Sequence, residues 1–430
     1  MSKNKVFNNA KWIIACKITQ SILQFIVGML CARYLGPSNY GIINYAASVV
    51  AFAVPIMQLG LPATIVKDLI ENPESEGEIM GTSLVMDLIS GLACIFLVGS
   101  FVAVANHNET EIIIVCILYS LSLILRAFEL LQYWFQYKLL SKYPSIIMLV
   151  SYVVVSLYRI FLLVTAKSIY WFAVVNSVDY LIIGGLLLVI YKKQSSQKLS
   201  FSFKTAKKLF SRSKFYILSA MMVTLFQDTD HIMLKLFSGD AENGFYTAAI
   251  TCACVVQFVY TAIIDSMRPV ILECKQKNTA EYEKKLSTLY CIVIYMSLAQ
   301  SVVFTLFAKL IVAILYGAQY MPTVSILRVL VWYVVFSYMG AVRNIWILAE
   351  GKHKFLWKIN LAGALANILL NSVLIPFYGA LGAAIASLVT QFFTNFILGF
   401  IIKTIRPNNR LLLKGLNPKL LLSLIKEYKK

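Results

Sequence analysis

Apolar residues recur along this chain in runs of about 20, each long enough to cross a hydrocarbon core of about 30 Å as a helix. Twelve such spans are predicted, over residues 12–32, 42–66, 81–105, 112–136, 146–166, 169–191, 214–237, 244–267, 286–307, 323–349, 357–377 and 379–402. The polar residues inside them are ordered. On a helix, positions i, i+3 or i+4, and i+7 share a face. The first span carries Lys17, Gln20 and Gln24 at that spacing, and the fourth Arg126, Glu129 and Tyr133. The seventh has Asp228, His231 and Lys235, with Asp230 alongside. The eleventh has Asn360, Asn367 and Asn371, and the twelfth Ser387, Gln391 and Asn395. Lipid satisfies none of these groups, so the stripes must meet one another or water.

Composition agrees with an all-α membrane protein. Of 430 residues, 59% are hydrophobic and 14% charged, against about 25% charged in a soluble domain. The basic start Met1–Lys5 leads into an apolar run too long for a signal peptide and without a small-residue cleavage site, so it reads as a retained first helix. Eight cysteines and three histidines show no metal-ligand spacing, and most of the cysteines fall in spans as small apolar filler. No phosphate loop, nucleophile elbow, HExxH or paired-cysteine zinc motif is present. The chain therefore reads as a transporter, not an enzyme, with no cofactor expected. A nucleotide-driven pump would need its ATPase from another chain.

Charge sets the orientation. With the N-terminus in the cytoplasm, the inner segments hold 30 of the 39 Lys and Arg, and the outer loops only Arg33, Lys167 and Lys309. Both termini are then inside. The net charge of +19 is an orientation signal and does not indicate nucleic acid; the basic inner face suits the anionic lipid bilayer. The longest loop divides the chain into a six-helix bundle over 1–191, a basic linker over 192–213, a second six-helix bundle over 214–402 and a basic tail over 403–430. Basic and apolar residues alternate at helical spacing in Lys204–Phe210 and again in Lys414–Lys430, as in membrane-surface helices. The halves look like a parallel repeat. Gly36-Pro-Ser-Asn-Tyr-Gly41 opens the second span and Gly239-Asp-Ala-Glu-Asn-Gly244 the eighth, at an offset of 203.

Six bases sit inside the spans, clear of Lys214 and Lys358 at their inner ends: Lys17, Arg126, Arg159, Lys235, Arg328 and Arg343. Each costs about 3 kcal/mol at a bilayer centre on insertion scales, so each must pair, reach a surface or line a wet path. Six acids share the spans: Asp87, Glu129, Asp179, Asp228, Asp230 and Asp265. Arg126 and Glu129 form an i,i+3 ion pair or a shared polar face. Asp179 is a possible mate for Arg159, and Glu350 lies seven residues after Arg343. Lys235 and Arg328 read as snorkelers. Lys17, Arg159 and Arg343, with Arg126 if Glu129 does not neutralise it, are the better anion candidates.

Four segments carry a family resemblance: Arg33-Tyr-Leu-Gly-Pro-Ser-Asn-Tyr-Gly41; Gln132-Tyr-Trp-Phe-Gln136 with Lys142-Tyr143; Phe201-Ser-Phe-Lys204 through Lys208-Leu209; and Gln227-Asp-Thr-Asp-His-Ile-Met-Leu234. They resemble the Wzx-type polysaccharide or O-antigen flippases, of the superfamily that includes multidrug and toxic-compound extrusion proteins. His231 stands where that family often has Arg. The resemblance implies two six-helix bundles around a central cavity, in the bacterial cytoplasmic (inner) membrane. It implies a substrate of undecaprenyl-diphosphate-linked oligosaccharide moved to the outer leaflet, and polysaccharide polymerase and chain-length proteins as partners. Buried cations would hold the diphosphate, while Asn and Gln stripes and aromatics would meet the sugar. The rivals are an ion-coupled exporter of soluble compounds, favoured by an acid-dominated cavity, a major facilitator transporter, and a glycan polymerase or ligase.

Overall fold

The computed structural model describes residues 3–107, 109–352 and 355–422, with side chains from Thr19 onward. All regular structure among these residues is helical. Eight helices are long and apolar enough to cross a membrane, or nine when the pair Asp240–Ala253 and Gln257–Lys277, bent by 48°, counts as one span. Two of the eight are broken at a glycine. The helix Lys3–Met57 passes through Gly36 and the helix Leu356–Phe392 through Gly379, each with a positive φ where the sequence predicts a turn between spans. The predicted fourth span is present as Thr110–Tyr137, built of contiguous helical pieces, Thr110–Ser120, Ser122–Arg126, Ala127–Leu131 and Gln132–Tyr137.

The repeat is visible in the backbone. Gly36 has φ 73° and ψ 170°, and Gly239 has φ 91° and ψ 178°. This region is open essentially to glycine alone, and the two residues occupy it 203 positions apart. A Cβ on Gly239 would meet nothing within 4 Å. Gly239→Ala is therefore expected to cost about 1–3 kcal/mol through backbone strain alone, read by thermal unfolding in detergent. An unchanged melting temperature would show that the turn relaxes.

Two compact units form, Met1–Leu236 and Phe237–Lys430. The helix Phe203–Ser238, which was expected to open the second bundle, belongs to the first unit up to Leu236. Its first turns explain this. Leu209 is buried among Leu61, Ile65, Met80, Trp134 and Tyr191. Trp134 packs edge-on against both Phe135 and Tyr191, at centroid distances of 5.1 and 4.9 Å. A second core, built on Tyr45, Val49, Val102, Ile112 and Cys116, fills the unit further along its helices.

The basic linker is a strap bound to the first unit. The Gly77 amide donates to Gln197 Oε1 at 2.9 Å, and the Ser200 amide to the Gly77 carbonyl at 3.2 Å. The Ser202 amide donates to Thr82 Oγ1 at 3.1 Å, and Ser213 Oγ to the Leu59 carbonyl at 2.7 Å. A Cβ on Gly77 or Gly81 would strike the strap main chain at Lys198 or Ser200. The acidic, largely helical segment over residues 67–78 pairs with Arg212 of the strap, which meets Asp68 at 2.5 Å and Glu71 at 3.0 Å. Thr205 donates to Glu78. The Arg212 hydrogen bond, helped by Lys67, holds the Glu71 carboxyl below its ordinary range. That contribution is present at neutral pH and fades as pH falls through the lowered value.

In the second unit, Thr279–Leu315 packs against Tyr333–Ala349 and Arg406–Gly415. Tyr290 donates to Asn408 Oδ1 at 2.8 Å, which ties part of the basic tail to the bundle. The predicted surface helix Lys414–Lys430 continues outside the described residues. Glu242 of the repeated motif accepts from the Ala380 amide at 2.7 Å and caps the helix that resumes after Gly379. Phe393–Ile397 is a π-helix.

Candidate functional site

The first unit gathers the polar groups of several helices. Arg126 ends one short helix and Glu129 lies one turn on; their side chains pair at 3.3 Å, and the guanidinium lies over the Tyr180 ring at 5.1 Å. Arg159, half-buried on Lys142–Val164, lies within electrostatic range of Tyr152, whose buried hydroxyl has no hydrogen-bond partner among the described residues. Asp179 lies within its electrostatic range. The expected ion pair is not made: among the described residues no carboxylate stands within 4 Å of Arg159. Asp179 is held instead by Ser151, which donates at 2.6 Å. Tyr119 joins the parts, since Arg126, Arg159, Asp179 and Asp228 all act on it electrostatically. Asp228, on the seventh-span helix, accepts from Ser48 at 3.3 Å, while Asp230 beside it is buried. Asp87 is 2% exposed, and its Oδ1 has no hydrogen-bond partner among the described residues. It acts electrostatically on Tyr133, as do Arg126 and Glu129.

Two guanidiniums thus share this cluster with five carboxyls, Asp87, Glu129, Asp179, Asp228 and Asp230. The cluster as a whole is not cationic. What singles out Arg159 is that it carries charge without a contacting acid. Such a group, half-open and set among tyrosine hydroxyls, can take an anion from outside the protein. Arg126 has spent one side of its fork on Glu129.

The second unit holds a different arrangement. Arg343 is 5% exposed and donates to the Thr394 carbonyl at 2.9 Å and to Asn344 Oδ1 at 3.4 Å. Glu350, its expected mate, pairs with Lys275 at 2.6 Å. Among the described residues no carboxylate lies within 4 Å of Arg343. The carbonyl it binds belongs to the π-helix, where widened turns leave backbone oxygens to be satisfied by side chains. Arg343 is therefore bonded into the protein and is not displayed for a ligand. Gln391 is bonded by Asn395, and Asn371 donates to Asn367 at 3.0 Å. Both contacts lie within a single helical segment, so these stripes are partly self-satisfied. Asn360 stands apart, half-buried.

Of the other expected site residues, Gln20 is half-buried and Gln24 exposed, and the side chain of Lys17 lies outside the described residues. Lys235 does not snorkel. It is 6% exposed and pairs with Glu109, with Tyr45 facing its ammonium at 5.9 Å. Arg328 is exposed. The residues that sequence reading passed over are Tyr119, Tyr152 and Tyr180. A signal existed for two of them: Tyr119 precedes Arg126 by seven residues and Tyr152 precedes Arg159 by seven, the spacing of one helix face.

The polysaccharide biosynthesis protein family model matches residues 6–275. The chain belongs to the polysaccharide biosynthesis protein family. Within curated relatives, this family member is 21% identical over 398 residues to the capsular polysaccharide biosynthesis protein CapF of Staphylococcus aureus, covering 89% of this chain and 96% of CapF. It is 24% identical over 233 residues to an uncharacterized membrane protein of Methanocaldococcus jannaschii. That match covers 51% of this chain and 46% of the relative, so the chain spans about half the length of that protein. Among solved structures, the lipid II flippase MurJ in an inward closed conformation superposes with a TM-score of 0.73 at 16% identity, covering 96% of this chain and 92% of MurJ. An inward-facing multidrug resistance MATE transporter of the MOP superfamily superposes at 0.65 and 15% identity, covering 92% and 96%. The family member is thus a multi-pass membrane protein of polysaccharide biosynthesis with a fold like those of MurJ and the MATE transporter.

Proposed function

We propose that this protein is a flippase for undecaprenyl-diphosphate-linked oligosaccharide, moving the sugar head from the cytoplasmic to the outer leaflet by alternating access. The observation that carries the reading is Arg159: a half-buried guanidinium without a contacting carboxylate, within a tyrosine-bearing polar cluster, in a member of a polysaccharide biosynthesis family. Arg159 takes the diphosphate, with Arg126 behind it. Tyr119 and Tyr180, with Gln20 of the first stripe, meet sugar hydroxyls and ring faces. The prenyl tail stays in lipid. The chain crosses twelve times, in two bundles, with both termini inside. This follows when the helices broken at Gly36 and Gly379 each count twice and the charged helix Phe203–Ser238 counts as a span. An inside-negative potential favours outward passage of an anion by about 2.3 kcal/mol per charge per 100 mV. Polymerase and chain-length proteins would take the product in the bacterial inner membrane.

The carboxyls of this cluster favour one other reading, an ion-coupled exporter of small cationic solutes; efflux of a fluorescent cation that follows the gene would support it. The deciding experiment is deletion with leaflet-resolved analysis of lipid-linked sugars. The flippase reading expects repeat units trapped on the cytoplasmic leaflet and no surface glycan. Normal surface glycan, with no substituting flippase present, would sink it.

A further inference from the structure

The helix Phe203–Ser238 has 36 residues. At 1.5 Å per residue it is about 54 Å long, while the hydrocarbon core is about 30 Å. Its outer end is fixed by the turn at Gly239, so roughly its first 16 residues lie past the hydrocarbon, where the tilt common to membrane helices leans their exposed face toward the headgroup layer. One face of this projecting part is committed. Thr205, Leu209, Arg212 and Ser213 are bonded or buried against the first unit.

The opposite face is open and patterned. Phe203, Lys207, Phe210, Lys214 and Leu218 recur at intervals of four, three, four and four, which sets them in a single stripe. Lys204 and Phe215 flank it. Every one of these residues is exposed, Phe203 at 78% and Phe215 at 76%. The Lys214 ammonium sits 5.2 Å from the Phe215 ring centroid. Bulk water does not favour large exposed aromatic rings, and hydrocarbon does not favour lysines. The headgroup layer of a bilayer accommodates both, with rings at the acyl boundary and ammonium groups on phosphates.

We propose that this stripe is a docking surface for anionic phospholipid headgroups of the cytoplasmic leaflet. The proposal rests on the inside assignment of this end of the helix made above and is otherwise independent of the transported substrate. Three features favour phospholipid over the diphosphate of a substrate. The stripe extends over about 22 Å, far beyond the reach of one diphosphate. Its cations are single lysines, one per turn or so, with no arginine fork. They stand on a convex helix face. That arrangement suits several headgroups held weakly, each worth about 1 kcal/mol per basic residue. The strap makes the surface rigid, so the stripe is presented without an ordering cost.

The test uses purified full-length protein and native mass spectrometry, titrating phosphatidylglycerol against phosphatidylcholine. Phosphatidylglycerol is expected to bind preferentially. Lys204→Gln, Lys207→Gln and Lys214→Gln together should weaken it by about fivefold per lysine removed. The same three positions changed to Arg should retain binding. Lys192→Gln, Lys193→Gln and Lys198→Gln together remove equal charge from the same side and should have little effect. Equal loss in that control, or no preference for the anionic lipid, overturns the proposal. So does a triple-Gln variant that keeps phosphatidylglycerol but no longer binds undecaprenyl diphosphate, since the stripe would then be a substrate surface. If the triple-Gln variant is not monodisperse, Lys207→Gln alone is compared with Lys207→Arg.

Discussion

Arg159→Ala is expected to reduce movement of lipid-linked sugar by roughly 30-fold or more, as befits removal of a charged hydrogen-bond donor from a partly desolvated contact. The measurement is the fraction of lipid-linked oligosaccharide reaching the lumenal leaflet of inverted vesicles, at matched protein level. Arg126→Ala should cost much less, about threefold, because part of its guanidinium is already engaged by Glu129 at 3.3 Å. Arg159→Lys should recover some activity but not all, since an ammonium keeps the charge and loses the planar fork. The order matters more than the size. If Arg126→Ala proves as damaging as Arg159→Ala, or if Arg159→Ala is silent, the assignment of the anion to Arg159 fails. A loss confined to protein abundance would fail it too.

The second large effect concerns stability. Lys235 is buried while its partner Glu109 is about half-exposed. Glu109→Ala strands a buried ammonium, and breaking such a pair typically costs about 3–5 kcal/mol. Screening of the exposed partner lowers the expectation here to about 2–3 kcal/mol. Adding Lys235→Met removes the stranded charge and keeps an apolar stem against Tyr45, so the double variant should recover most of the loss. Reversible unfolding in detergent would measure both. A double variant no more stable than Glu109→Ala alone would mean that Glu109 supports the fold by some other route.

These cases show what could be read from the chain and what could not. Spans were legible because hydrocarbon demands unbroken apolar runs. The repeat was legible because Gly36 and Gly239 answer a backbone requirement that side-chain identity announces. Arg126 and Glu129 were legible as neighbours because one helical turn joins them. Pairings across the fold were not. Glu109 lies 126 residues from Lys235, and Asp68 lies 144 from Arg212. Nothing local distinguishes those partners from other loop acids. Arg343 and Glu350 failed in the instructive way: a spacing of seven places them on one face, but Lys275 from another helix takes the acid. The division of the chain shifted for a related reason. Loop length suggested a break at residues 192–213, whereas main-chain hydrogen bonds there join the segment to what precedes it.

The strap also bears on where the molecule has freedom to move. Between Ser195 and Ser213 the chain has no slack: glycines at positions 77 and 81 admit its main chain, and Arg212 bolts down its far end. A rocking transporter needs a compliant joint, and this stretch, although it is the longest loop, is not one. The inner part of the seventh helix must travel with the first unit as one body. Any articulation in the covalent chain is displaced toward the opposite end of that helix, where Gly239 supplies a turn without side-chain hindrance.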